Sequence, residues 1–325
     1  MTGANDPGPA GSHIRISVLI PTYNRSRLLL RAMDSVAVQD FDGVEIVVAD
    51  DGSTDDTAAA VTRWRAANPQ VPVTYVRQDN TGQHAAHNLG VDHARGELVV
   101  MLDSDDLMTA DALRRYIEAW DAIPVDQRAD FCGVIGHCAW YATGKNTGDI
   151  YPQPVFDSTY NEVKQRHRIH GDKPGAYRRD LLLQHPYPVF AGERRFRMSW
   201  VAQTLAMTHR IRCIDAILHL VDQQADGLSS NTLRKRLMAP RSLWFCFRDE
   251  ANRFTVGYPR KLRLQAHERY VRYALHVGKG LPTQWREIED HSLLLLAWPA
   301  GFFKWSRDVL WRRAGWVKVA PRPLS

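Results

Sequence analysis

The chain lacks the cysteine patterns that organise disulfide-rich or zinc-binding domains. Its four cysteines form no C-x-x-C pair and have no histidine partner at zinc-finger spacing; they are Cys132, Cys138, Cys213 and Cys246. Reduced thiols in a cytosolic protein are the ordinary explanation of cysteines scattered in this way. The pattern therefore argues against a disulfide scaffold and against a structural zinc site.

Long apolar runs and targeting segments are also missing. The longest strongly apolar run, residues 293–303, is about half the length that a membrane-spanning helix needs. Residues 1–13 have neither the basic start nor the apolar stretch of a secretory signal, and they predict a flexible tail. We therefore expect a cytoplasmic protein without a transmembrane segment.

Acidic residues are scarce in the last 95 residues of the chain, whereas the first 230 residues have fewer basic than acidic ones. The whole carries +6, but residues 231–325 contain 19 lysines and arginines against 7 acidic residues, which leaves −6 for the first 230 residues. Apolar residues make up 44%, as in a folded globular protein. The acidic front suggests cation binding, and the basic, tryptophan-rich back suggests an anionic surface or partner.

Residues 14–107 alternate between strand and helix patterns. Strands are predicted at 16–20, 45–49, 73–76 and 97–102, and helices at 26–38, from 53 or 54 to 68, and at 83–93. Such alternation with short connections predicts an α/β fold with a Rossmann-like, doubly wound and mostly parallel sheet. Later patterns are a helix at 113–120, short strands at 134–136 and 139–141, a helix at 199–212, a strand at 213–221, and mainly helix from 233.

Three of these strands end in polar residues, at the edge where doubly wound sheets bind ligands. The endings are Pro21-Thr22-Tyr23-Asn24, Asp50-Asp51-Gly52-Ser53 and Asp103-Ser104-Asp105-Asp106. In extended chain, residues i and i+2 share a face, so Asp103 and Asp105 can point at one ion. Mg²⁺ or Mn²⁺ prefers such carboxylate oxygens together with phosphate oxygens. The alternative is a solvated turn that caps the next helix, which fits Asp106.

Asp51 can also accept hydrogen bonds from the N–H of a nucleotide base or from ribose hydroxyls. Helix capping is the competing explanation for this second acidic strand end, and it fits Asp55 and Asp56 better than Asp50 and Asp51. Two acidic strand ends that converge on one crevice are less expected by chance than either strand end alone. Their convergence therefore favours a binding site over helix capping.

In order and spacing, residues 16–106 resemble the nucleotide-sugar-binding half of family 2 glycosyltransferases, which have the GT-A fold. The matching pieces are Ser17 to Asn24, Ile46 to Asp55, Asn80-Thr81-Gly82, Asn88-Leu89-Gly90, Ala94 to Glu97 and Leu102 to Asp106. The resemblance implies that Asp51 holds the base or ribose, that Asp103 lies near the ribose and donor sugar, and that Asp105, with Asp103, binds the metal. It also implies that the nucleotide-sugar site includes Pro21, Thr22, Tyr23, Asn24, Asp50, Asn80, Gly82 and Ser104.

An inverting transferase also needs a general base that takes the proton of the acceptor hydroxyl. Gly171-Asp172-Lys173, Gly192-Glu193-Arg194 and Asp226-Gly227-Leu228-Ser229 resemble elements of a bacterial subgroup of the family. Its members usually carry a further Glu a few residues after the G-E pair, where this chain has Met198 and Ser199. Glu193 is therefore the first candidate for the base and Asp172 the second. The alternative for Glu193 is an ordinary salt bridge to nearby arginines, and the alternative for Asp172 is a carboxylate in a turn. Lys173 is either a phosphate contact or a surface charge.

The C-terminal region carries aromatic residues at helical spacing, Trp298, Phe302, Trp305 and Val309, with cations nearby. Such a helix suits the interface of an anionic membrane, or it docks on the catalytic domain or on a second protomer. The charge is not accompanied by a nucleic-acid recognition motif, so we expect no nucleic-acid partner.

Together these features predict a tail (1–13), a GT-A catalytic domain (14–230, with a nucleotide-sugar half to 110 and an acceptor half from 111), and a helical extension (231–325). The predicted activity is inverting transfer from a nucleotide-diphosphate sugar, UDP-sugar by default, to a glycan or lipid-linked acceptor, with Mn²⁺ or Mg²⁺ as cofactor. The alternative is a catalytically silent nucleotide-sugar-binding protein that recruits partners or membrane. The sequence leaves the oligomeric state open.

Overall fold

A computed structural model describes residues 13–222 and 237–314, which fall into two compact units. The first unit contains residues 13–186 and 208–222, and the second contains residues 187–207 and 237–314. The predicted domain boundary near residue 230, the Asp226 to Ser229 element and nearly all of the predicted tail lie outside the described residues.

The first unit consists of a nine-stranded sheet and helices on its faces. Its strands are β1 (Ile16–Thr22), β2 (Val44–Asp50), β3 (Val73–Arg77), β4 (Leu98–Met101), β5 (Leu107–Met108), β6 (Phe131–Trp140), β7 (Val155–Ser158), β8 (Gly175–Arg178) and β9 (Arg210–Val221). Its helices are α1 (Ser26–Ala37), α2 (Thr57–Ala67), α3 (Gln83–His93), α4 (Ala112–Asp121), α5 (Tyr160–Gln165) and α6 (Arg179–Gln184).

The strand order is β3-β2-β1-β4-β8-β6-β9-β5, with β7 paired to β9. The first four strands are parallel, β8 is antiparallel to both of its neighbours, and β6 and β9 are again parallel. Alternate residues of β1 face opposite sides: Val18 and Ile20 join the core under α1, α2 and α4, whereas Leu19 lies against Gly90 of α3. The predicted doubly wound, mostly parallel α/β fold is confirmed.

Several predicted boundaries are wrong in instructive ways. β1 does not stop before Pro21 but continues to Thr22. Proline has no N–H to donate to a neighbouring strand, and it is tolerated here because pairing with β4 ends at Leu19 and Pro21 is paired only with Ala49 of β2. α2 starts at Thr57 instead of residue 53 or 54, since residues 53–55 bind the loop after β1. The predicted short strands at 134–136 and 139–141 belong to one strand, β6. The predicted helix at 199–212 ends at Leu205, and β9 begins at Arg210.

The second unit is helical within the described residues. Its helices are α7 (Ser199–Leu205), α8 (Pro240–Asp249), α9 (Arg260–His276), α10 (Leu281–Glu287) and α11 (His291–Arg313), with a π-helical turn at Glu250–Phe254. Tyr270 and Val271 of α9 and Leu294 of α11 lie in its core. Across residues 13–222 and 237–314, no helix combines the length and apolar character that crossing a bilayer would require.

Candidate functional site

The carboxyl ends of β1, β2 and β4 lie at one edge of the sheet. Thr22 is paired with Asp50, and the N–H of Leu102 donates to the carbonyl of Leu19. The loops after the three strands are therefore neighbours, and they carry most of the predicted nucleotide-sugar and metal residues. Those residues are Pro21, Thr22, Tyr23, Asn24, Asp50, Asp51, Asp103, Ser104 and Asp105.

The loop after β1 is fastened to the loop after β2. Asn24 adopts a left-handed backbone conformation (φ 50°), its N–H donates to the hydroxyl of Ser53 at 2.9 Å, and its side-chain oxygen accepts from the N–H of Thr54 at 2.7 Å. Tyr23 is exposed, whereas the Thr22 side chain is buried. The amide oxygen of Asn24 is thus used to shape the site.

Asp50 is buried at the end of β2, and both of its oxygens have partners. One accepts from the N–H of Ser53 at 2.8 Å, and the other accepts from the hydroxyl of Tyr75. Burial and the Asp50 carboxylate raise the pKa of Tyr75 well above its usual value, which keeps the phenol protonated as a donor. These contacts make Asp50 a support of the turn.

Asp51 holds the loop that precedes α3. Its Oδ1 accepts from the N–H of Thr81 and from the side chain of Gln78, and its Oδ2 accepts from the N–H of Gly82, all at 2.8 Å. The next residue, Gln83, donates to Asp103 at 2.6 Å. Asp51 and Asp103, which the sequence predicted to meet at one site, are therefore linked through three consecutive residues that include the predicted Gly82, with Asn80 just before them.

The strand end after β4 is a cluster of carboxylates. Burial and the nearby Asp105 raise the pKa of Asp103 to about 6. Burial together with Asp103 and Asp105 raises the pKa of Asp106 to about 8. Asp105 forms an ion pair with Arg25 from the loop after β1. The strand end thus brings three carboxyl groups together, with Arg25 beside Asp105. Arg25 was not among the predicted site residues although it directly follows Asn24.

The cluster fits a divalent cation in its chemistry. Asp103 and Asp105 supply hard carboxylate oxygens, and their repulsion is the kind that a cation relieves. Within residues 13–222 and 237–314, no three His, Cys, Asp or Glu side chains are grouped in a way that could hold a metal ion. Two carboxylates plus the oxygens of a diphosphate would be enough for Mg²⁺ or Mn²⁺.

Asp172 lies in a loop anchored by two lysines. Lys164 donates to the carbonyl of Gly171 at 2.6 Å, and Lys173 donates to the carbonyl of Asp149 at 2.5 Å. The charge of Asp172 contributes to the raised pKa of Asp103 and of Asp106, as expected of a neighbour of the acidic cluster. The structure therefore brings Asp172 toward the same site as Asp103.

Lys173 also contacts a histidine that sequence reasoning missed. Its ammonium group lies 3.0 Å from Nδ1 of His137 on β6, and Nε2 of His137 lies 3.1 Å from Asp215 on β9. The His137 ring stacks on Tyr151 with 4.4 Å between ring centroids. Burial and Lys173 lower the pKa of His137 to about 4, so the neutral ring accepts from the lysine. Lys173 is thus an anchor of the loop and not a surface charge.

Glu193, the first candidate for the base, belongs to the second unit and caps a helix. It is 5% exposed, and its two oxygens accept from the N–H groups of Arg241 and Ser242, both at 2.8 Å. These are the second and third residues of α8, whose N–H groups have no partner inside the helix. Glu193 therefore stabilises the start of α8, and its role as a base stays a prediction.

The family model described as glycosyl transferase family 2 matches residues 17–192. The chain belongs to this family. The match includes every candidate strand end, the acidic cluster and the Asp172 loop, and it stops just before Glu193.

Two curated relatives match part of this family 2 protein. An uncharacterised glycosyltransferase of Nostoc is 38% identical over 124 residues, which are 38% of this chain and 36% of the relative. A Campylobacter jejuni enzyme, GalNAc(5)-diNAcBac-PP-undecaprenol beta-1,3-glucosyltransferase, is 37% identical over 104 residues, which are 32% of this chain and 34% of the relative. The chain thus matches about a third of the length of these relatives.

Two solved structures share the fold over most of the family 2 chain. Staphylococcus aureus TarS 1-349, in complex with UDP-GlcNAc, has a TM-score of 0.57 and 18% identity, covering 93% of this chain and 92% of its own. The mannosyltransferase PcManGT from Pyrobaculum calidifontis, in complex with GDP-Man and Mn²⁺, has a TM-score of 0.52 and 22% identity, covering 95% and 85%. At these identities the likeness establishes the fold.

Proposed function

We propose that this chain is an inverting glycosyltransferase that moves a sugar from a nucleotide-diphosphate sugar, UDP-sugar by default, to a glycan or lipid-linked acceptor. The observation that carries the proposal is the continuous set of contacts from Asp51 through residues 81–83 to Asp103, beside Asp105 and Arg25. Three strand ends with these functional groups provide donors and acceptors for a nucleotide and negative charge for a cation.

A divalent cation held by Asp103 and Asp105 would supply neutralisation of the departing diphosphate. The charge and oxygen chemistry of the cluster support this assignment, and the fold neighbour PcManGT was solved with Mn²⁺. Arg25 is paired with Asp105, one of these two carboxylates. We assign it the role of balancing their charge.

We assign the general base to Asp172 in preference to Glu193. Asp172 would accept the proton of the acceptor hydroxyl while that oxygen bonds to the anomeric carbon and the bond to the diphosphate breaks, with inversion. Its electrostatic effect on Asp103 and Asp106 supports this choice. Glu193 accepts hydrogen bonds from two N–H groups at the start of α8, which argues for a capping role.

The test is nucleotide release from a panel of UDP- and GDP-sugars, with and without Mn²⁺, for Asp172→Asn, Glu193→Gln and Asp105→Asn. Glu118→Gln is the matched control, because Glu118 is an exposed carboxylate on α4. We expect Asp172→Asn to lower turnover by about 100-fold or more and Glu193→Gln by less than about threefold. Full turnover in Asp172→Asn would sink the assignment of the base.

A second candidate function is a silent protein that binds nucleotide-sugar and recruits a partner. It is favoured by one observation: Glu193, the acidic residue nearest in sequence to Met198 and Ser199, is committed to α8. Calorimetry separates the two functions. Donor affinity without any nucleotide release, in every donor and acceptor tried, supports the silent protein and contradicts the enzyme.

We further propose that the chain works in the cytoplasm, at the inner face of the plasma membrane. All four cysteines are buried and free, which suits a reducing compartment. The Campylobacter relative carries an undecaprenol-linked glycan in its name, and an acceptor of that chemistry here would require access to a membrane surface.

A further inference from the structure

Helix α11 is fixed to α9 along one side. The position of Gly301 leaves no room for a side chain, since a Cβ there would lie 2.6 Å from Val271. Seven residues later Asp308, fully buried, accepts two hydrogen bonds from Arg272 and lies 3.0 Å from His276. α11 is therefore a firmly seated helix of the second unit.

The opposite side of α11 is apolar and exposed. Leu296, Phe303 and Leu310 are seven residues apart, so they share one face of the helix over about 21 Å, and they are 52%, 66% and 62% exposed. Leu295 and Phe302 extend the same face and are also exposed. A stable soluble helix normally presents polar residues on the side away from its core. This surface, the apolar face of α11, therefore points to a partner.

The exposed charges of α11 itself are positive. Arg307 follows Phe303 by one turn, and Arg313 is exposed at the end of the helix. The one acidic residue of α11 is Asp308, which is buried and paired. The surface of the helix thus combines large apolar side chains with cations and carries no exposed carboxylate.

We propose that the apolar face of α11 binds an anionic phospholipid bilayer, with the helix lying in the headgroup layer. Apolar side chains flanked by arginines match the acyl boundary and the phosphate layer of such a surface. A second copy of the chain fits less well, because the same face of a partner copy would offer no exposed carboxylate of α11 to pair with these arginines. The inference is independent of the glycosyl transfer proposed above.

The experiment is co-sedimentation of the full chain with vesicles of phosphatidylcholine alone or mixed with phosphatidylglycerol, at low and high salt. The test variant is Leu296→Ser/Phe303→Ser/Leu310→Ser. Its matched control replaces three exposed apolar residues elsewhere, Val125→Ser/Ile150→Ser/Val256→Ser. We expect binding to the mixed vesicles that falls with salt, a loss of about tenfold or more in the test variant, and little change in the control.

Two outcomes overturn the proposal. One is equal binding of the test variant and the wild type to the mixed vesicles. The other is a wild-type oligomer that the test variant converts to monomer, measured by light scattering without lipid, combined with no vesicle binding, since the face would then join two copies. Circular dichroism checks folding, and nucleotide release without vesicles should be unchanged, which keeps this result separate from that of the proposed activity.

Discussion

At the scale of single residues, Gly52 shows how tightly the loops at the strand ends are packed. Its φ is +82°, and a Cβ would lie 2.8 Å from the backbone nitrogen of Asn80. We expect Gly52→Ala to lower the free energy of unfolding by about 2–3 kcal/mol, from left-handed strain plus collision. Gly144→Ala is the control, since Gly144 has φ +66° but open space around it, and it should cost only about 1 kcal/mol. Urea unfolding measures both free energies. Equal losses in the two variants would mean that the loop around Asn80 shifts to make room for the added Cβ.

His137 gives a prediction on pH at the same scale. Its pKa in the folded chain is lowered to about 4, against about 6.5 when unfolded, so the unfolded chain binds more protons between those values. This contribution to stability is present above pH 6.5 and is lost as the pH falls toward 4. When the pH is lowered from 7 to 5, the free energy of unfolding of His137→Gln, measured with urea, should therefore fall by about 1–2 kcal/mol less than that of the wild type. The control is the exposed His93→Gln, which should follow the wild type.

At the scale of elements, Lys173 fastens the loop of Asp172 to β6. Lys173→Met removes the contacts to His137 and to the carbonyl of Asp149. If Asp172 is the base, we expect kcat for transfer to fall by about tenfold with the donor KM unchanged, because the proton acceptor is displaced. Lys173→Arg should restore part of the loss, whereas the exposed Lys145→Met should have no effect. A rise in donor KM alone would place Lys173 on the donor instead.

Glu193 and α8 provide a second prediction at this scale. The amide of Glu193→Gln offers one acceptor where the carboxylate offers two, so one N–H at the start of α8 loses its partner. We expect a loss of about 1–2 kcal/mol in the free energy of unfolding. Exposed Glu289→Gln, in the same unit, should change it by less than about 0.5 kcal/mol. Unchanged stability in Glu193→Gln would free Glu193 for another role.

At the scale of the whole molecule, donor and cation binding should appear as thermal stabilisation of the folded chain. A ligand that binds only the native state adds about 2.7 kcal/mol at a hundred times its Kd, so UDP-sugar with Mn²⁺ should raise the Tm. Excess chelator should remove the Mn²⁺-dependent part, and Asp105→Asn should lack that part from the start. A shift that is the same with and without chelator would count against the metal site.

Much of the first unit could be predicted from local patterns. The strand-helix alternation gave α3 at its observed limits and β1 to β4 within two residues, because alternation and helical periodicity depend on near neighbours. The start of α2 was wrong, since the turn before it is held by Asn24, about thirty residues away. No local pattern carries that contact.

The sequence by itself determined where polar groups follow buried strands, and with them the family and the candidate site. Only the tertiary structure decided which partners the polar side chains have: Asp50 binds its own turn, Asp51 binds the loop before α3, Glu193 binds the start of α8, and Lys173 binds His137. The physical reason is that periodicity is set by neighbours within a few residues, whereas the partners of Asp51, Glu193 and Lys173 are brought together by the fold from about 30 to 50 positions away.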